Sequence, residues 1–509
     1  MDILRFLERL PTYSGAQVLR FLATSCLLWS LAWLTKILYN IHLHPLARYP
    51  GSRLYAASSI PLVIAQLRGR WHVFVQDAHE KYGPVVRIGP SELSYTSAAA
   101  WQDIYGRRKG SPQMPRDRAF FNKMLVDSGT ITMADDDNHA RLRRSLAPAF
   151  SPKALVEQES ILMSNIDMLL DQLQRRSEAG LVTDLRAWYN YTTFDLLGDF
   201  AFGSPFGCLK ASGFHEWVQL VVDYFYIAIP LQAVHRFWPL DKLLAMLLPA
   251  SLVEKKNKHN EMALEKARSR LATTVDRPDF IHYMQNAVRS GSMTNEEVEK
   301  QSTVIILAGS ETTSIALTYA TYFLVTHQAV LRQLRAELLQ HFQSESEITM
   351  LAVNQSSFLQ AVLQETLRLR PPITNGFPRQ TPAEGAVIDG RFVPAGTTVN
   401  VHHWSAYHSA THFALPDGFH PERWMGDPRF ADDCRDCFQP FSVGPRNCVA
   451  QRFAYDSMKL TLARLLWRFD VSLAPATTEG EESQPWIRNH ESYVSWYLPP
   501  LNVTLNARA

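Results

Sequence analysis

One stretch near the N-terminus is apolar throughout and differs in pattern from the rest of the chain. Residues 18–39 are mostly Leu, Trp, Ala and Phe, with Arg20 and Lys36 near the two ends. About twenty such residues span the hydrocarbon core of a bilayer, and long basic side chains at the ends reach its polar surface. The pattern predicts a transmembrane anchor at residues 18–39 behind an N-terminal segment, residues 1–17. The alternatives are a helix buried against the protein body and a cleaved signal peptide, although no small-residue cleavage site follows.

A short connector with two prolines follows the apolar stretch. Pro45 and Pro50 fall within residues 40–53, where proline stops a helix and stiffens the chain. Beyond the connector, residues 54–509 contain no repeat and no low-complexity linker. We therefore predict one large domain for residues 54–509.

Helical periodicity dominates this domain. The strongest helix begins at Thr294 and Glu297, which have the spacing of a capping box, and runs towards His327. Two more are predicted from apolar residues three and four positions apart, through Leu331, Leu334 and Leu338, and from Phe358 through Val362 and Leu363 to Glu365. Strand-like segments flank these helices at residues 84–89, 386–389 and 398–401. The predicted fold class is mainly α, an α+β arrangement with small β-sheets.

Composition and charge narrow the functional classes. The chain is 46% apolar and 20% charged, which is ordinary for a globular protein with a large core. Its net charge of +2, without a long basic run, argues against a nucleic-acid partner. Five cysteines in 509 residues are too few for a disulfide framework and indicate a reducing compartment. Cys434 and Cys437 form a Cys-x-x-Cys pair with no second ligand pair, so we interpret them as two loop cysteines.

Cys448 stands in the most informative stretch of the sequence. The segment Phe441-Ser-Val-Gly444-Pro-Arg446-Asn-Cys448 places this cysteine after a Gly/Pro turn and before a predicted helix at residues 451–467. Free N–H groups and the positive dipole end of a helix stabilise a thiolate. Gly444 would let the backbone approach a flat cofactor, and Arg446 would offer a charge to a carboxylate. Such a thiolate is a candidate axial ligand of haem iron, although a lone cysteine is more often a small buried hydrophobe.

A second informative segment, Ala308-Gly309-Ser-Glu311-Thr312-Thr, lies inside the strongest helix. Glycine in a helix interior costs about 1 kcal/mol relative to alanine, and here it could leave room for a diatomic ligand. Ala308 and Thr312 are four residues apart and share one face of the helix. Glu311 is a charge in an apolar run and therefore a candidate proton relay. The alternative is a helix with a tolerated glycine and a solvent-facing glutamate.

Glu365 and Arg368 form the third pattern. Their spacing of three residues lets them pair on one helix. Such a pair is usually a surface contact of little energetic value. Here it is embedded in apolar sequence, which instead indicates a buried pair.

These segments together resemble the cytochrome P-450 superfamily. The Phe441-x-x-Gly444-x-Arg446-x-Cys448 stretch is similar to its haem-binding signature, with Ala450 where glycine is usual. The Ala308–Thr312 segment is similar to its oxygen-binding motif, and the motifs occur in the expected order along almost the whole chain. The resemblance implies the P-450 fold, haem b (iron protoporphyrin IX) as cofactor and Cys448 as iron ligand.

The resemblance also implies roles for individual residues. It gives Thr312 a part in oxygen activation, and Glu311 a part in proton delivery. Glu365, Arg368 and Arg423, the last in Phe419-His-Pro-Glu-Arg423-Trp, would form a structural network behind the haem. The remaining matched residues would lie against the haem or its propionates: Phe441, Gly444, Arg446, His139 in place of the usual tryptophan, Arg143, Arg379, Ala308 and Gly309.

A monooxygenase is the reaction class that the resemblance implies. Electrons for O2 cleavage would come from a separate NADPH-cytochrome reductase, with cytochrome b5 as a further partner, because the chain has no flavin or dinucleotide fingerprint. A haem-thiolate isomerase or dehydratase that inserts no oxygen, and a non-catalytic haem sensor, are the alternatives. The resemblance further implies a single-pass anchor in the endoplasmic reticulum with a cytosolic body. The flanking charges do not decide that orientation, but sequons at Asn190, Asn354 and Asn502 offer a test.

A finer resemblance concerns filamentous-fungal members that act in secondary metabolism, for example on terpenoid or polyketide intermediates. It rests on three segments, which begin at His44, Phe194 and Trp496. We expect an apolar substrate that enters from or near the membrane. Its pocket would be walled by Phe120 and Phe121, by residues 217–226, and by residues 373–377, where Thr374 and Asn375 could orient a polar group.

Overall fold

The computed structural model describes residues 14–107, 113–121, 129–215, 233, 236–237, 250–273, 277–475 and 486–508. Within these residues the protein is a helical body with four small β-sheets and a separate N-terminal helix. The expected fold class is therefore confirmed.

The N-terminal helix α1, Gly15–His42, extends three residues beyond the predicted anchor at each end. Ser14 and Gln17 form a capping box at its start, so polar residues complete the helix that the apolar pattern alone left shorter. Its most apolar window has a mean hydropathy of 1.5 and none of it is buried. Among the described residues it is the one helix long and apolar enough to cross a membrane. The alternative of a helix buried against the body does not hold.

The connector fastens α1 to the body. The Arg87 side chain donates to the Asn40 carbonyl at 2.9 Å, and the Arg87 N–H donates to the Pro50 carbonyl at 2.7 Å. Leu46 is fully buried, and the Tyr49 hydroxyl donates to the Phe392 carbonyl at 2.8 Å. The connector is therefore part of the folded body and fixes the direction in which α1 leaves it.

Helices supply most of the body. The first half contains α2 Arg53–Ala57, α3 Ile60–Leu67, α4 Trp71–Tyr82, α5 Ala98–Tyr105, α6 Arg118–Phe121, α7 Asp136–Leu146, α8 Pro152–Glu157, α9 Glu159–Glu178, α10 Leu185–Phe202 and α11 Cys208–Ala211. The second half contains α12 Ala250–Leu271, α13 Phe280–Arg289, α14 Asn295–Thr326, α15 Gln328–His341, α16 Met350–Val353, α17 Ser357–Leu369, α18 His403–Tyr407 and α19 Gln451–Arg468. Short 3-10 helices include Pro421–Met425 and Arg435–Cys437.

The strands form four small sheets beside the helices. They are β1 Val85–Gly89, β2 Glu92–Tyr95, β3 Thr183–Asp184, β4 Arg379–Gln380, β5 Ala386–Ile388, β6 Arg391–Val393, β7 Thr398–Val401, β8 Phe469–Leu473, β9 Glu491–Ser492, β10 Trp496–Tyr497 and β11 Asn502–Ala507. The largest sheet has the order β1-β2-β7-β4, with β2 and β7 parallel and its other pairs antiparallel. The three strands expected from the sequence are β1, β5 and β7.

The long helix α14 runs through the main hydrophobic core. Thr294 accepts from the Glu297 N–H at 3.1 Å and Glu297 accepts from the Thr294 N–H at 2.9 Å, so the predicted capping box starts the helix. From Ser314 to Val325 every side chain is buried. The half of α14 before Ser314 keeps accessible positions, and the segment Ala308–Thr313 lies there.

Candidate active site

The Cys448 loop is closed by backbone hydrogen bonds. The Cys448 N–H donates to the Phe441 carbonyl at 2.9 Å, and the Asn447 N–H donates to the Gly444 carbonyl at 3.2 Å. Helix α19 begins three residues later, at Gln451. The Cys448 side chain keeps accessible surface in an open cavity, yet the surrounding protein raises the pKa of its thiol. The Ala450 N–H and the Arg143 guanidinium oppose that rise, as groups that stabilise a thiolate should.

Both the packing of the protein and the backbone angle φ require a glycine at position 444. Its φ is +77°, a region that side chains disfavour. A Cβ at this position would lie 2.0 Å from the Tyr105 carbonyl oxygen. This glycine therefore allows a close approach to the end of α5, and the expected approach to a flat cofactor stays a prediction.

Three arginines with unsatisfied N–H groups meet beside the Cys448 loop. Arg446 donates to the Ala134 carbonyl and to Asp136, each at 2.9 Å, but its Nη1 is buried with no partner among the described residues. The same is true of Arg379 Nε and of Arg116 Nε and Nη1. Burial and the neighbouring Arg379 and Arg446 lower the pKa of Arg116 to about 8. Such a cluster requires anions, and carboxylates match the geometry of guanidinium N–H groups.

His139 and Arg143 of α7 complete this region. Burial and the surrounding arginines lower the pKa of His139 to about 3, so the imidazole is neutral and can donate one N–H. Arg143 donates to the Asn447 carbonyl at 2.5 Å and to Asn447 Oδ1 at 2.8 Å. Arg143 therefore holds the residue before Cys448, whereas the sequence pattern placed it against a carboxylate.

The accessible face of α14 carries Ala308 and Thr312. Ala308 is exposed and Thr312 half-buried, although the helix runs through the core. The Thr312 hydroxyl donates to the Ala308 carbonyl at 2.9 Å. The hydroxyl proton of Thr312 is thus used within the helix, on the Ala308 carbonyl. The lone pairs of the hydroxyl oxygen stay free to accept a hydrogen bond.

Gly309 lies on another side of α14. A Cβ there would lie 2.9 Å from Leu197 Cδ1 on helix α10. The missing side chain thus permits the close packing of two helices, and the expected space for a diatomic ligand stays a prediction.

Glu311 is buried next to this face. Burial raises the pKa of its carboxyl, an effect that Arg186 partly opposes. Its Oε2 has no hydrogen-bond partner among the described residues. Burial thus favours the protonated form of this carboxyl, which makes Glu311 a candidate proton donor, and the solvent-facing alternative for Glu311 does not hold.

Glu365, Arg368 and Arg423 meet in one fully buried network. Arg368 binds both Glu365 oxygens, at 2.9 and 2.8 Å, and Arg423 Nε donates to the same carboxylate at 3.3 Å. The Trp424 indole and the His420 N–H add two more donors to Glu365, at 3.0 and 3.1 Å. Asp433 forms an ion pair with Arg423, so the network holds two carboxylates and two guanidiniums. Every strong donor is paired, as a buried charge requires.

Comparison with known proteins identifies the family of this chain. The cytochrome P-450 family model matches residues 55–494. The chain belongs to the cytochrome P-450 family. It is 53% identical to cytochrome P-450 monooxygenase astD of Aspergillus oryzae, over 99% of this chain and 98% of that one. It is also similar to monooxygenase atr2 of Stereocaulon alpinum, at 37% identity over 99% of each chain. The trichothecene C-15 hydroxylase of Fusarium sporotrichioides is 37% identical over 93% of this chain and 95% of that one.

The residues present fit the haem-thiolate cofactor that this family uses. This P450 monooxygenase offers an accessible cysteine thiol, and it offers unpaired guanidinium N–H groups for the two propionates of a haem. Arg379 and Arg446 were expected in that role. Arg116 was missed, because a single arginine in a loop has no spacing signal, and only its antiparallel bridge to Arg379 brings it to the site.

A small pocket lies beside Phe120, Ile373 and Phe377, in two of the three expected walls. Asn375 lines it, but Thr374 is fully buried and its hydroxyl pairs with the Ser492 hydroxyl at 3.0 Å. The third expected wall, residues 217–226, lies outside the described residues. Five further residues line this pocket without any pattern in the sequence that marks them: Gln66, Trp71, Ser492, Tyr493 and Val494.

Proposed function

We propose that the chain binds haem b through Cys448 and inserts one oxygen atom from O2 into an apolar secondary metabolite of terpenoid or polyketide type. The observation that carries this proposal is the accessible Cys448, two residues after Arg446, together with the buried N–H groups of Arg446, Arg379 and Arg116 that have no partner among the described residues. When bound, the haem supplies the binding and reductive cleavage of O2. The thiol, the arginines and the accessible face of α14 are the chain's own contribution.

Ligation by Cys448 is tested by the spectrum of the reduced, carbon monoxide-bound protein. The native chain should show the red-shifted absorption typical of thiolate ligation, and Cys448→Ala should lose it. The matched control is Cys208→Ala, because Cys208 is a buried cysteine on α11, outside the site. A native-like spectrum from Cys448→Ala would contradict the assignment.

Oxygen insertion is supported by the pair Thr312 and Glu311. The Thr312 hydroxyl donates to the Ala308 carbonyl, and the buried Glu311 carboxyl, whose pKa is raised by burial, can supply protons along α14. Neither an isomerase nor a haem sensor requires such a pair. Thr312→Ala should lower product formed per NADPH consumed several-fold, whereas Thr313→Ala should not. Unchanged coupling in Thr312→Ala would favour the alternatives.

The substrate is an apolar metabolite with at least one hydroxyl group. Phe120, Ile373 and Phe377 offer apolar pocket surface, which favours a ligand that loses little hydration on entry. Gln66 Oε1 and Trp71 Nε1 line the same pocket and are buried without a partner among the described residues. One is an acceptor and the other a donor, and a hydroxyl can satisfy both. The name of the related trichothecene hydroxylase supports a polycyclic substrate.

Spectral titration tests this substrate class. Hydroxylated polycyclic terpenoids should shift the haem absorption as they displace the iron's water, and Trp71→Phe should weaken their binding about tenfold, the effect of one lost hydrogen bond to a buried group. Their deoxygenated analogues should bind both proteins equally. Tight binding of small charged metabolites, with none by apolar ones, would contradict the proposal.

The proposal also includes the source of the electrons and the location of the enzyme in the cell. P450 monooxygenases use a redox partner, and we propose a membrane-bound NADPH-cytochrome reductase, with cytochrome b5 as a second donor.

The α1 helix would place the enzyme in the endoplasmic reticulum membrane with its body in the cytosol. The exposed residues Ile60, Ile64 and Leu67 on α3 support a body that rests on lipid, since they form one apolar face close to the connector. Reconstitution with reductase and candidate metabolites, read by mass, tests the reaction as a whole.

A further inference from the structure

Cys434 and Cys437 lie at the two ends of a 3-10 turn, Arg435–Cys437, outside the site described above. Their sulfur atoms are 2.9 Å apart. All five cysteines fall in described residues, and no other two are in contact. The sequence pattern alone did not distinguish this pair from two loop cysteines, but such a distance leaves a movement of only about 1 Å to a covalent S–S bond.

The backbone on both sides holds the two thiols together. The Cys434 N–H donates to the His412 carbonyl at 2.7 Å, and the Cys437 N–H donates to the Cys434 carbonyl at 3.0 Å. The Trp101 indole donates to the Cys437 carbonyl at 3.1 Å. The close approach of the sulfurs is thus set by the fold, and a reaction between them needs no rearrangement of the chain.

The two thiols differ in access. Cys437 is fully buried, and burial raises the pKa of its thiol. Cys434 is partly accessible and is followed by the exposed residues Arg435 and Asp436. A small oxidant therefore reaches Cys434 first, and the buried Cys437 is in place to react with the product.

We propose that Cys434 and Cys437 form a reversible dithiol–disulfide site that hydrogen peroxide oxidises. The Cys434 thiolate attacks one peroxide oxygen, the O–O bond breaks, and the departing hydroxide takes a proton to become water. The Cys437 sulfur then displaces the hydroxyl of the Cys434 sulfenic acid, which leaves as a second water with the Cys437 proton. The two sulfurs give up two electrons, which reduce one peroxide to two waters, and a small dithiol reverses the change.

The site lies next to the Glu365 network. Asp433, the residue before Cys434, forms the ion pair with Arg423, and Arg435 donates to the Arg423 carbonyl at 2.9 Å. The new bond would close a loop of only four residues, Cys434 to Cys437, so it constrains the unfolded chain little. It is thus a redox modification site rather than a structural cross-link, and it should barely change the midpoint of thermal unfolding.

Peptide mapping of the holoenzyme tests the proposal. The ferric protein is treated with hydrogen peroxide while imidazole occupies the iron, free thiols are alkylated, and trypsin cuts after Arg435, between the two cysteines. The expected product is a disulfide-linked pair of peptides, 430–435 and 436–446, which separate after treatment with dithiothreitol. Cys208 is the matched control, because it is equally buried but has no cysteine beside it, and it should stay alkylated.

Two variants make the result decisive. In Cys437→Ala, peroxide should oxidise Cys434 further to sulfinic acid, because no neighbouring thiol is left to react with the sulfenic acid. Cys434→Ser should leave Cys437 unreactive, because peroxide does not reach it. Alkylation of both native thiols after peroxide treatment would overturn the proposal, as would sulfinic acid at Cys434 beside a free Cys437 in the native chain.

Discussion

At the scale of single residues, the arginines around the Cys448 loop are in an unstable arrangement unless anions join them. Arg379 and Arg446 each face Arg116, and the pKa of Arg116 falls to about 8 because of burial and this repulsion. Among the described residues, Asp136 is the one carboxylate that opposes this lowering of the Arg116 pKa, and it is bound to Arg446. Two haem carboxylates would reverse the sign of the local field and pair the free N–H groups. Haem binding and the charge of this cluster are therefore linked.

Arg116→Gln should speed haem loss about tenfold to a hundredfold. A charged hydrogen bond is worth about 1.5–3 kcal/mol, and the variant removes such a donor from the propionates. The measurement is the rate of haem transfer from the ferric protein to excess apomyoglobin. Arg118→Gln is the matched control, since Arg118 is exposed and two residues away. Equal rates for Arg116→Gln and the native chain would remove Arg116 from the haem site.

Residue types and spacing singled out Cys448, Arg446 and Thr312 as candidate site residues, because each falls inside a dense pattern. They did not identify Arg116, whose position follows from a bridge between distant segments. They also did not indicate the packing contacts of Gly309 and Gly444. Both glycines face other parts of the protein, Leu197 and Tyr105, and a linear sequence does not show which neighbour a missing Cβ would meet.

At the scale of secondary structure elements, the packing of α14 on α10 depends on Gly309. Gly309→Ala should lower the thermal midpoint of the holoenzyme by a few degrees. Better helix propensity contributes up to about 1 kcal/mol, but a Cβ 2.9 Å from Leu197 overpacks the interface at a cost of about 1–3 kcal/mol.

A double variant isolates this contact. Leu197→Ala makes room for the new Cβ, so adding Gly309→Ala to Leu197→Ala should raise the midpoint where it lowers it in the native background. The same sign in both backgrounds would show that Gly309 serves another purpose.

The Glu365 network joins α17 to the 3-10 helix Pro421–Met425. Glu365→Gln should abolish haem-loaded protein, because it leaves two buried guanidiniums with one carboxylate, at a cost of about 3–5 kcal/mol. The measurement is haem per polypeptide after expression. Glu296→Gln, which breaks an exposed ion pair with Lys300, is the control and should have no effect. A stable, haem-replete but inactive Glu365→Gln protein would point to a catalytic role.

Element boundaries were predictable where polar signals mark them. The capping box at Thr294 gave the start of α14, and the turn at Gly444 preceded α19 as expected. The predicted anchor, residues 18–39, is shorter than α1, because hydropathy marks only the apolar residues, whereas the helix continues to its caps at Ser14 and Leu43. The short strands β3, β9 and β10 carry too few residues to show any alternation.

At the scale of the whole molecule, the anchor and the body are held in a fixed relation. Arg87 of β1 bonds to Asn40 near the end of α1, and Asn40 bonds to the Ala57 carbonyl. The exposed apolar face of α3 therefore keeps its place relative to α1, the helix that is long and apolar enough to cross a membrane. Gln66, at the other side of α3, lines the small pocket. In the proposed membrane-anchored enzyme, this arrangement would connect the lipid surface with the proposed substrate path.

The side of the membrane on which the body lies is tested by glycosylation at Asn502. The structure selects this sequon: Asn190 is buried, and Asn354 already donates to Asp456 at 2.8 Å, whereas Asn502 is exposed. In microsomes from yeast expressing the chain, we expect no glycan at Asn502, because the proposed orientation puts the body in the cytosol, whereas the glycosylating enzyme works in the lumen. A sequon attached through a spacer ahead of Met1 is the positive control and should be glycosylated, since that end would lie in the lumen. An endoglycosidase-sensitive product that disappears in Asn502→Gln, with the N-terminal tag unmodified, would place the body in the lumen and reverse the proposed orientation.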